Sequence, residues 1–426
     1  MNNFFIIGGR VIDPANRRDG FFDVQVRDGK IGRVAKGIRA PKNAEILDAR
    51  GMWVLPGFVD AHVHLREPGN EQSETIKTGT QAAAAGGVTS LLCMANTQPT
   101  TDTSERARSM MEKIKRDALV RVQVVGAVTQ NLEGKILNDF AAMSRAGVRA
   151  FSDDGKCVMN SRLLRQALEQ CKKLDRVLIE HCEDENLSQG GIVHEGALSQ
   201  HLGCLGIASE SEAIIVARDI FLARLTGARL HLAHMSTKDS VHLIRWARKI
   251  GVKVTAEVCP HYFALTDAAI KRWGTHAKMK PPLRARSDLQ AIKAALADGT
   301  IDAIATDHAP HHAVSKALPL NQAPFGIIGL ESSFALVYNE LVLKKIITPM
   351  RAVHLMTNAA NIFDLDAGKL SSGSNADMVI FDPQKNWTHR AETLHSKSKN
   401  TPFEGRKFKG KIIATFVGGK KVYGNF

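Results

Sequence analysis

Two histidines one residue apart, His62 and His64, end the apolar run in PGFVDAHVHLREPG (residues 56–69). In a β-strand, side chains two positions apart point to the same face, so both imidazoles would reach one point. Imidazole nitrogens and carboxylates are the ligands that zinc and similar divalent ions prefer, and a catalytic metal keeps one position open for water. The pair therefore indicates a catalytic metal centre if further ligands converge on it.

Further candidate ligands lie at the ends of other apolar runs. They are Asp153 and Asp154, His181, His234 and Asp307. A single histidine at the end of a strand is more often a hydrogen-bonded core residue than a ligand. Histidines and acids at corresponding positions of several strands favour a metal site instead, because one fold predicts ligands at all of these positions.

That fold follows from the alternation of short β-branched or apolar runs with helix-like segments between residues 53 and 310, which is typical of βα units. Eight runs are predicted to be strands, at residues 58–64, 88–95, 120–128, 148–152, 176–182, 229–234, 253–259 and 301–308. Eight parallel strands with intervening helices close into a (β/α)₈ barrel of the TIM type, an α/β fold with its chemistry at the carboxyl ends of the strands. All the candidate ligands then lie at one mouth.

Two of the intervening helices are predicted in more detail. In residues 73–87, Ser73 is expected to be the N-cap, and Gly86 and Gly87 are expected to end the helix. In residues 209–229, apolar residues recur near a 3.6-residue period, which predicts a helix. They are Ile214, Ile215, Ala217, Ile220, Phe221 and Leu225.

The two ends of the chain differ from the middle, because residues 1–52 and 365–426 consist of short strands broken by Gly and Asp turns. Neither end is long enough to form a stable sandwich alone. We expect them to combine into one small β-sandwich domain, with residues 53–364 forming the barrel.

The composition favours an ordinary soluble protein, with 44% hydrophobic and 23% charged residues. The formal charge of +14 raises the question of nucleic acid, but the lysines and arginines are dispersed and do not alternate with aromatic residues, so no nucleic-acid partner is expected. The six cysteines form no CxxC pair, which favours reduced thiols in the cytoplasm. The N-terminus has neither a signal-peptide pattern nor a membrane span, so no membrane association is expected.

Several segments together resemble the amidohydrolase superfamily, and more closely its long bacterial dihydroorotase family. They are PGFVDAHVHLREPG, MANTQP (94–99), IEHCEDENL (179–187), LHLAHMST (230–237), VTAEVCPHYFALTD (254–267), KPPLR (280–284), TDHAPH (306–311) and APFGIIGLE (323–331). The similarity extends to the terminal segments GSNADMVIFDP and TPFEGRKFKGKI. The HxH pair alone is only moderately specific, whereas the ordered series is highly specific.

The resemblance implies a binuclear site with two zinc ions (Zn²⁺) per subunit. One ion would be held by His62, His64 and Asp307, and the other by His181 and His234. Many relatives bridge the ions with a carboxylated lysine, but VRAFSDDG has no lysine at that turn. Asp154 is the expected bridge, and Asp153 remains an alternative. Asp307 would also be the catalytic proton carrier; its structural alternative is a buried cap on His308.

The resemblance also implies a substrate site at the same mouth, with a carboxylate held by the guanidinium of Arg66. The other implied contacts are His64, Asn96, Lys280, His311 and the backbone of Phe325 and Gly326. Lys280 stands where the family usually has asparagine, and an ammonium lacks the paired donor and acceptor of an amide. For Arg66, Asn96 and His311 the alternative is a solvated loop position. His231 and His261 are left out of the site, His231 because it faces the other side of its strand.

The implied activity is the reversible conversion of N-carbamoyl-L-aspartate to dihydroorotate in pyrimidine biosynthesis. A related cyclic amidase, such as an allantoinase or a hydantoinase, is the alternative enzyme, although such relatives normally carry the bridging lysine and lack an arginine at position 66. A different alternative is a non-catalytic partner of aspartate transcarbamoylase. A homodimer is expected, association with aspartate transcarbamoylase is a further expectation, and residues 311–324 are predicted to form a mobile loop over the site.

Overall fold

Eight parallel strands form the centre of the protein, as the sequence predicts. The structure is a computed structural model and describes residues 3–424 and 426. In chain order the strands are β1 (Phe4–Asp13), β2 (Arg18–Arg27), β3 (Lys30–Ala35), β4 (Glu45–Asp48), β5 (Trp53–Pro56), β6 (Phe58–Val63), β7 (Val88–Cys93), β8 (Arg121–Gly126), β9 (Ala150–Phe151), β10 (Val177–Glu180), β11 (Val193–His194), β12 (Gly206–Ile207), β13 (Arg229–Leu232), β14 (Val254–Val258), β15 (Ala303–Ile304), β16 (Met378–Thr388), β17 (Lys407–Val417) and β18 (Lys420–Gly424).

The barrel consists of β6 to β10 and β13 to β15, paired in the order of the sequence. Val63 pairs in parallel with His308, just beyond β15, and this contact closes the cylinder. All eight predicted strands are present, so the predicted (β/α)₈ barrel is confirmed. Most are shorter than predicted at the carboxyl end, because the chain there leaves the sheet and turns its side chains toward the mouth.

Helices surround the barrel on the outside. In chain order they are α1 (Ile76–Ala85), α2 (Ser104–Asp117), α3 (Phe140–Arg145), α4 (Ser161–Lys173), α5 (Ala197–Leu202), α6 (Glu210–Thr226), α7 (Lys238–Lys249), α8 (Pro260–Ala264), α9 (Ala269–Trp273), α10 (Arg286–Asp298), α11 (Ala313–Lys316), α12 (Ser333–Val337), α13 (Pro349–Thr357) and α14 (Ala359–Ile362). Within the described residues, no helix combines the length and the apolar character needed to cross a membrane.

The predicted start of α1 is wrong by two residues. Its N-cap is Thr75, whose hydroxyl accepts a hydrogen bond from the Thr78 amide at 3.1 Å. The Ser73 hydroxyl instead donates to the Asn70 side chain. The predicted end is confirmed, because the helix stops at Ala85 and Gly86 is its C-cap.

The predicted helix is confirmed as α6, but its periodic apolar residues are only partly buried. Ile215 and Ile220 are buried, but Ile214, Phe221 and Leu225 are more than half exposed. The buried stripe contains two acids, Glu212 and Asp219, which apolar periodicity alone does not place inside. Their carboxylates are compensated by hydrogen bonds, which makes burial of a charged group tolerable. Glu212 accepts bonds from the Ser236 and Thr237 amides, and Asp219 pairs with Arg218.

Both ends of the chain share one sheet, in the order β18, β17, β16, β5, β1, β2, β3, with β4 also paired to β1. The sheet folds over its own core, so that the Phe4 and Phe416 rings lie 5.3 Å apart although their strands are not neighbours. Trp53–Pro56 lies between β1 and β16, so this strand hydrogen-bonds within the terminal sheet rather than the barrel.

Candidate metal and substrate site

Six side chains from five strand ends meet at the barrel mouth. They are His62 and His64 on β6 and just after it, Asp154 after β9, His181 after β10, His234 after β13 and Asp307 after β15. All six are buried. His234 and Asp307 have φ angles of 38° and 46°, a left-handed conformation that is costly for residues other than glycine. Such strain is typical of functional positions, where the surrounding packing maintains it.

The carboxylate of Asp154 lies at the centre of the four histidines. Its Oδ1 is 3.2 Å from His62 Nε2 and 3.5 Å from both His181 Nδ1 and His234 Nε2. Its Oδ2 is 3.4 Å from His64 Nε2. Two sets of three candidate ligands result, His62 with His64 and Asp154, and Asp154 with His181 and His234. Asp154 is thus common to both sets.

These donors suit divalent metal ions. His62 Nε2 and Asp154 Oδ1 are buried and face each other at 3.2 Å, but neither makes a hydrogen bond of normal geometry among the described residues. His181 Nδ1 and His234 Nε2 lie 2.8 Å apart, so two ring nitrogens converge where a shared cation could bind both. Unpaired buried polar atoms are costly, and ligation of a metal removes that cost.

The charge balance of the centre also favours a cation. Burial works against ionisation of Asp154, but the neighbouring His62, His181 and His234 outweigh it and hold the pKa of this carboxyl well below its ordinary value. Burial likewise opposes the charged form of His62, yet Asp154 and Glu257 raise the pKa of this imidazole well above its usual range. The carboxylates therefore stabilise positive charge at this point, whether a proton or a metal supplies it.

Three side chains contact the outer nitrogens of the candidate ligand imidazoles, and two of them, Glu183 and Glu257, lie outside the predicted site. Glu257 Oε1 contacts His62 Nδ1 at 3.0 Å, and Glu183 Oε2 contacts His181 Nε2 at 3.0 Å. Asn96 Oδ1 contacts His64 Nδ1 at 2.8 Å. Each acceptor favours a ring proton on the outer nitrogen, so that the inner nitrogen can offer its lone pair to a metal, the arrangement found behind histidine ligands of metals.

Glu183 and Glu257 were missed by the sequence reasoning. Glu257 lies on the inward face of β14 within the apolar run VTAEVC, and an acid inside such a run was the available signal. His231, left out of the predicted site, contacts the same carboxylate: its Nε2 is 3.1 Å from Glu257 Oε2, and its ring packs against Phe363. His261 is buried, and burial lowers its pKa to about 3, so it is neutral.

The two neighbouring acids of the DDG turn point in different directions. Asp153 Oδ1 accepts hydrogen bonds from the Val128 and Thr129 amides at 2.8 and 3.0 Å, and its Oδ2 bonds the Thr129 hydroxyl. Asp153 therefore ties β9 to the loop after β8, while Asp154 faces the histidines.

Asp307 lies at the edge of this cluster of candidate ligands and faces the barrel mouth. Its Oδ1 is 3.0 Å from His64 Nε2 and 3.6 Å from His62 Nε2. Burial tends to raise the pKa of Asp307, but the hydrogen bond from His64 and the charge of His62 lower it overall. His308 is hydrogen-bonded to Thr306, Gly329 and Glu74 rather than to Asp307. The Asp307 carboxylate therefore does not act as a cap on His308 and is directed at the mouth.

A cavity of about 390 Å³ opens directly over this cluster. Its walls include every residue that the sequence assigns to substrate, namely His64, Arg66, Asn96, Lys280, His311, Phe325 and Gly326. Arg66 Nε donates to the Pro310 carbonyl at 3.0 Å, which fixes the guanidinium plane at the wall. The size is in the range of small-molecule sites.

Other wall residues are also bonded within the protein. His311 Nε2 contacts the Phe325 carbonyl at 2.7 Å, and burial together with Arg66 lowers the pKa of His311 to about 3, so the ring is neutral. The Gly326 amide donates to the Lys278 carbonyl. Lys280 Nζ lies 2.7 Å from Glu183 Oε1, so this ammonium pairs with the carboxylate that orients His181.

Comparisons with known proteins agree with this geometry. A family model described as dihydro-orotase-like matches residues 51–240. The chain is 48% identical over 418 residues to the dihydroorotase of Syntrophus aciditrophicus, covering 98% of each chain. It is 47% identical over 422 residues to the dihydroorotase of Geobacter metallireducens, covering 99% of each.

Solved structures with the same fold include two cyclic amidases. The L-hydantoinase (dihydropyrimidinase) of Arthrobacter aurescens matches with a TM-score of 0.91 at 24% identity, covering 100% of this chain and 96% of that one. The dihydropyrimidinase of Brevibacillus agri NCHU1002 matches with a TM-score of 0.87 at 25% identity, covering 99% and 95%.

Proposed function

The chain belongs to the dihydroorotase family of cyclic amide hydrolases, and from this premise we propose that it interconverts N-carbamoyl-L-aspartate and (S)-dihydroorotate in de novo pyrimidine biosynthesis. We propose two zinc ions per subunit, one with His62, His64 and Asp307 and one with His181 and His234. The observation that carries the proposal is the position of Asp154, common to both ligand sets beneath a cavity that contains an arginine.

The proposed chemistry divides between the metal pair and the chain. When bound, two divalent ions lower the pKa of a water molecule and polarise the substrate carbonyl. Asp307, ionised and facing the cavity, takes the proton of the attacking water and delivers it to the leaving amide nitrogen; in ring closure it acts in reverse. Asn96, Glu183 and Glu257 keep the ligand imidazoles in the required tautomer and orientation.

Substrate choice is proposed to depend mainly on Arg66. Its guanidinium can bind a carboxylate with two parallel hydrogen bonds. Dihydroorotate carries such a carboxylate, whereas a neutral hydantoin ring has none. Lys280 adds positive charge at the cavity edge, but its ion pair with Glu183 already satisfies part of that charge. We therefore assign Lys280 the weaker role in holding an anionic substrate.

The first test compares substrates on the zinc-loaded enzyme. We expect kcat/KM for dihydroorotate to exceed that for hydantoin and allantoin by at least about 10²-fold, because a site built around a charged partner discriminates against analogues that lack it. Ring opening is followed by absorbance at several enzyme concentrations. Faster turnover of hydantoin than of dihydroorotate would show that the chain is a hydantoinase-like amidase.

The second test replaces Arg66 with lysine. We expect KM for dihydroorotate to rise about 10- to 100-fold with a smaller change in kcat, since a lysine keeps the charge but not the bidentate grip. Arg165→Lys, on the exposed side of α4, is the matched control and should leave both constants unchanged. An unchanged KM in Arg66→Lys would contradict the assigned role.

The alternative of a non-catalytic partner of aspartate transcarbamoylase is less favoured, because the chain has kept a complete set of candidate ligands.

We propose a cytoplasmic homodimer that can associate with aspartate transcarbamoylase. The six free cysteines support the location. The exposed Phe221, Leu225 and Trp246 on α6 and α7 offer an apolar surface for subunit contact.

A further inference from the structure

The C-terminal region leaves the terminal sheet between β16 and β17 and lies against the barrel mouth. We call residues 394–403 the crossing segment. The Lys397 amide donates to Glu74 Oε1 at 3.0 Å, and the Ser398 hydroxyl donates to the Ser73 carbonyl at 2.6 Å. The Ser396 hydroxyl also bonds Glu74. The crossing segment is therefore fixed to the loop that follows the HxH strand.

Asn400 makes the contact between this segment and the walls of the substrate cavity. Its Nδ2 donates to the Ala309 and Gly326 carbonyls, both at 3.1 Å. Its Oδ1 accepts from the His311 amide at 3.2 Å. Its backbone carbonyl accepts from the Ile328 amide at 3.0 Å. The side chain is buried, and all four bonds go to residues 309–328.

The partners of Asn400 are the backbone atoms that place the predicted substrate contacts. Ala309 and Gly326 line the cavity, and His311 lies between them with its ring on the Phe325 carbonyl. The carbonyl of Pro310, between two of the bonded residues, accepts the Arg66 Nε hydrogen bond. One amide side chain thus fixes the backbone behind Arg66, His311 and Phe325 together.

A second anchor holds the far side of the same loop. The buried Lys316 ammonium donates to the Pro324 carbonyl at 2.9 Å and to the Gly326 carbonyl at 3.0 Å. The Gly326 carbonyl therefore accepts from both Lys316 and Asn400. The loop of residues 311–324, predicted to be mobile, is therefore held by hydrogen bonds at its C-terminal end, next to the cavity.

We propose that Asn400 is a positioning residue for substrate: from the crossing segment, it sets the alignment of Arg66, His311 and Phe325. This inference rests on the proposed function, because it assigns these wall residues to the anionic substrate. Displacement of binding groups by about 1 Å can lower catalytic efficiency by about 10²-fold, so loss of three side-chain bonds is expected to be visible in kinetics. Asn400 touches none of the candidate metal ligands through these bonds, so the metal content should not change.

The test compares Asn400→Ala with the matched control Asn361→Ala, whose side chain is exposed on α14. For Asn400→Ala we expect KM for dihydroorotate to rise by about tenfold or more, kcat to change by less than about threefold, and zinc per chain to equal that of the wild type. In the same variant, hydrogen exchange should quicken in peptides from residues 305–328 but not in peptides from the barrel strands β13 and β14.

A second variant, Asn400→Ser, covers the case in which alanine prevents folding. Its hydroxyl can bond one of the two carbonyls, so an intermediate KM is expected. Unchanged exchange in residues 305–328, or faster exchange with an unchanged KM, would overturn the inference. If the wild type and Asn361→Ala both fail to turn over dihydroorotate, the proposed function fails, whereas the exchange measurement still decides whether Asn400 holds the loop.

Discussion

Asp307→Asn is expected to reduce kcat for dihydroorotate by about 10³-fold or more, since proton transfer by a positioned side chain is typically worth 10²–10⁴-fold and this carboxylate is also a proposed metal ligand. Asparagine has the same shape but cannot accept and return a proton. His64 and His62 lower the pKa of Asp307 against the opposing effect of burial, which keeps the carboxylate ionised near neutral pH.

The matched control for this variant is Asp302, which immediately precedes β15 at the opposite end of the barrel. Its carboxylate pairs with Arg248 and accepts a hydrogen bond from the Ala256 amide. Asp302→Asn should lower the melting temperature and leave kcat within about threefold of the wild type, because surface-side ion pairs affect stability rather than chemistry. Steady-state kinetics in both reaction directions measure the effect. A kcat for Asp307→Asn within tenfold of the wild type would remove Asp307 from the proposed proton transfer.

The barrel and the convergence of the candidate ligands at its mouth could be predicted from the sequence because both depend on local patterns. Short β-branched runs determine the strands, and parallel topology brings all carboxyl ends to one mouth. His181 and His234 are distant in sequence, yet each follows a strand directly, so the fold alone brings them together. Two general rules suffice for this prediction: side chains alternate between the two faces of a strand, and active sites lie at the carboxyl ends of barrel strands.

The contacts that orient the site could not be predicted in this way. His62 and Glu257 are 195 positions apart, and Asn400 lies 74 positions from Gly326. Nothing in a local pattern indicates which buried polar side chain will meet which partner, because those bonds depend on the packing of complete elements. The burial of Glu212 on α6 has the same origin, since the turn after β13 supplies its hydrogen-bond donors.

The terminal sheet shows an intermediate case. Its strands follow from the Gly and Asp turns of both chain ends, and their pairing follows from the need of two short sets of strands to share one core. The path of residues 394–403 across the barrel mouth has no such signal. The contact between the crossing segment and the cavity walls therefore emerges only from the three-dimensional bonds of Asn400.

The adjacent acids of the DDG turn provide the sharpest test of the metal site, because one substitution at each position should have opposite consequences. Asp154→Asn replaces the carboxylate shared by both ligand sets with a neutral amide, a poorer ligand for zinc. We expect this variant to retain less than half of the wild-type zinc after dialysis and to lose at least about 10³-fold in kcat, because the shared ligand supports both ions.

Asp153→Asn is the matched control at the next position. It disturbs the bonds to Val128 and Thr129. A buried hydrogen-bond mismatch of this kind costs about 1–3 kcal/mol of stability, so the melting temperature should fall while zinc content stays at the wild-type level. Metal analysis by mass spectrometry, thermal unfolding and kinetics on both proteins separate the two effects. If Asp153→Asn loses zinc and Asp154→Asn keeps it, the bridging acid is Asp153, and the orientation of the turn described above is not the one present in the metal-bound enzyme.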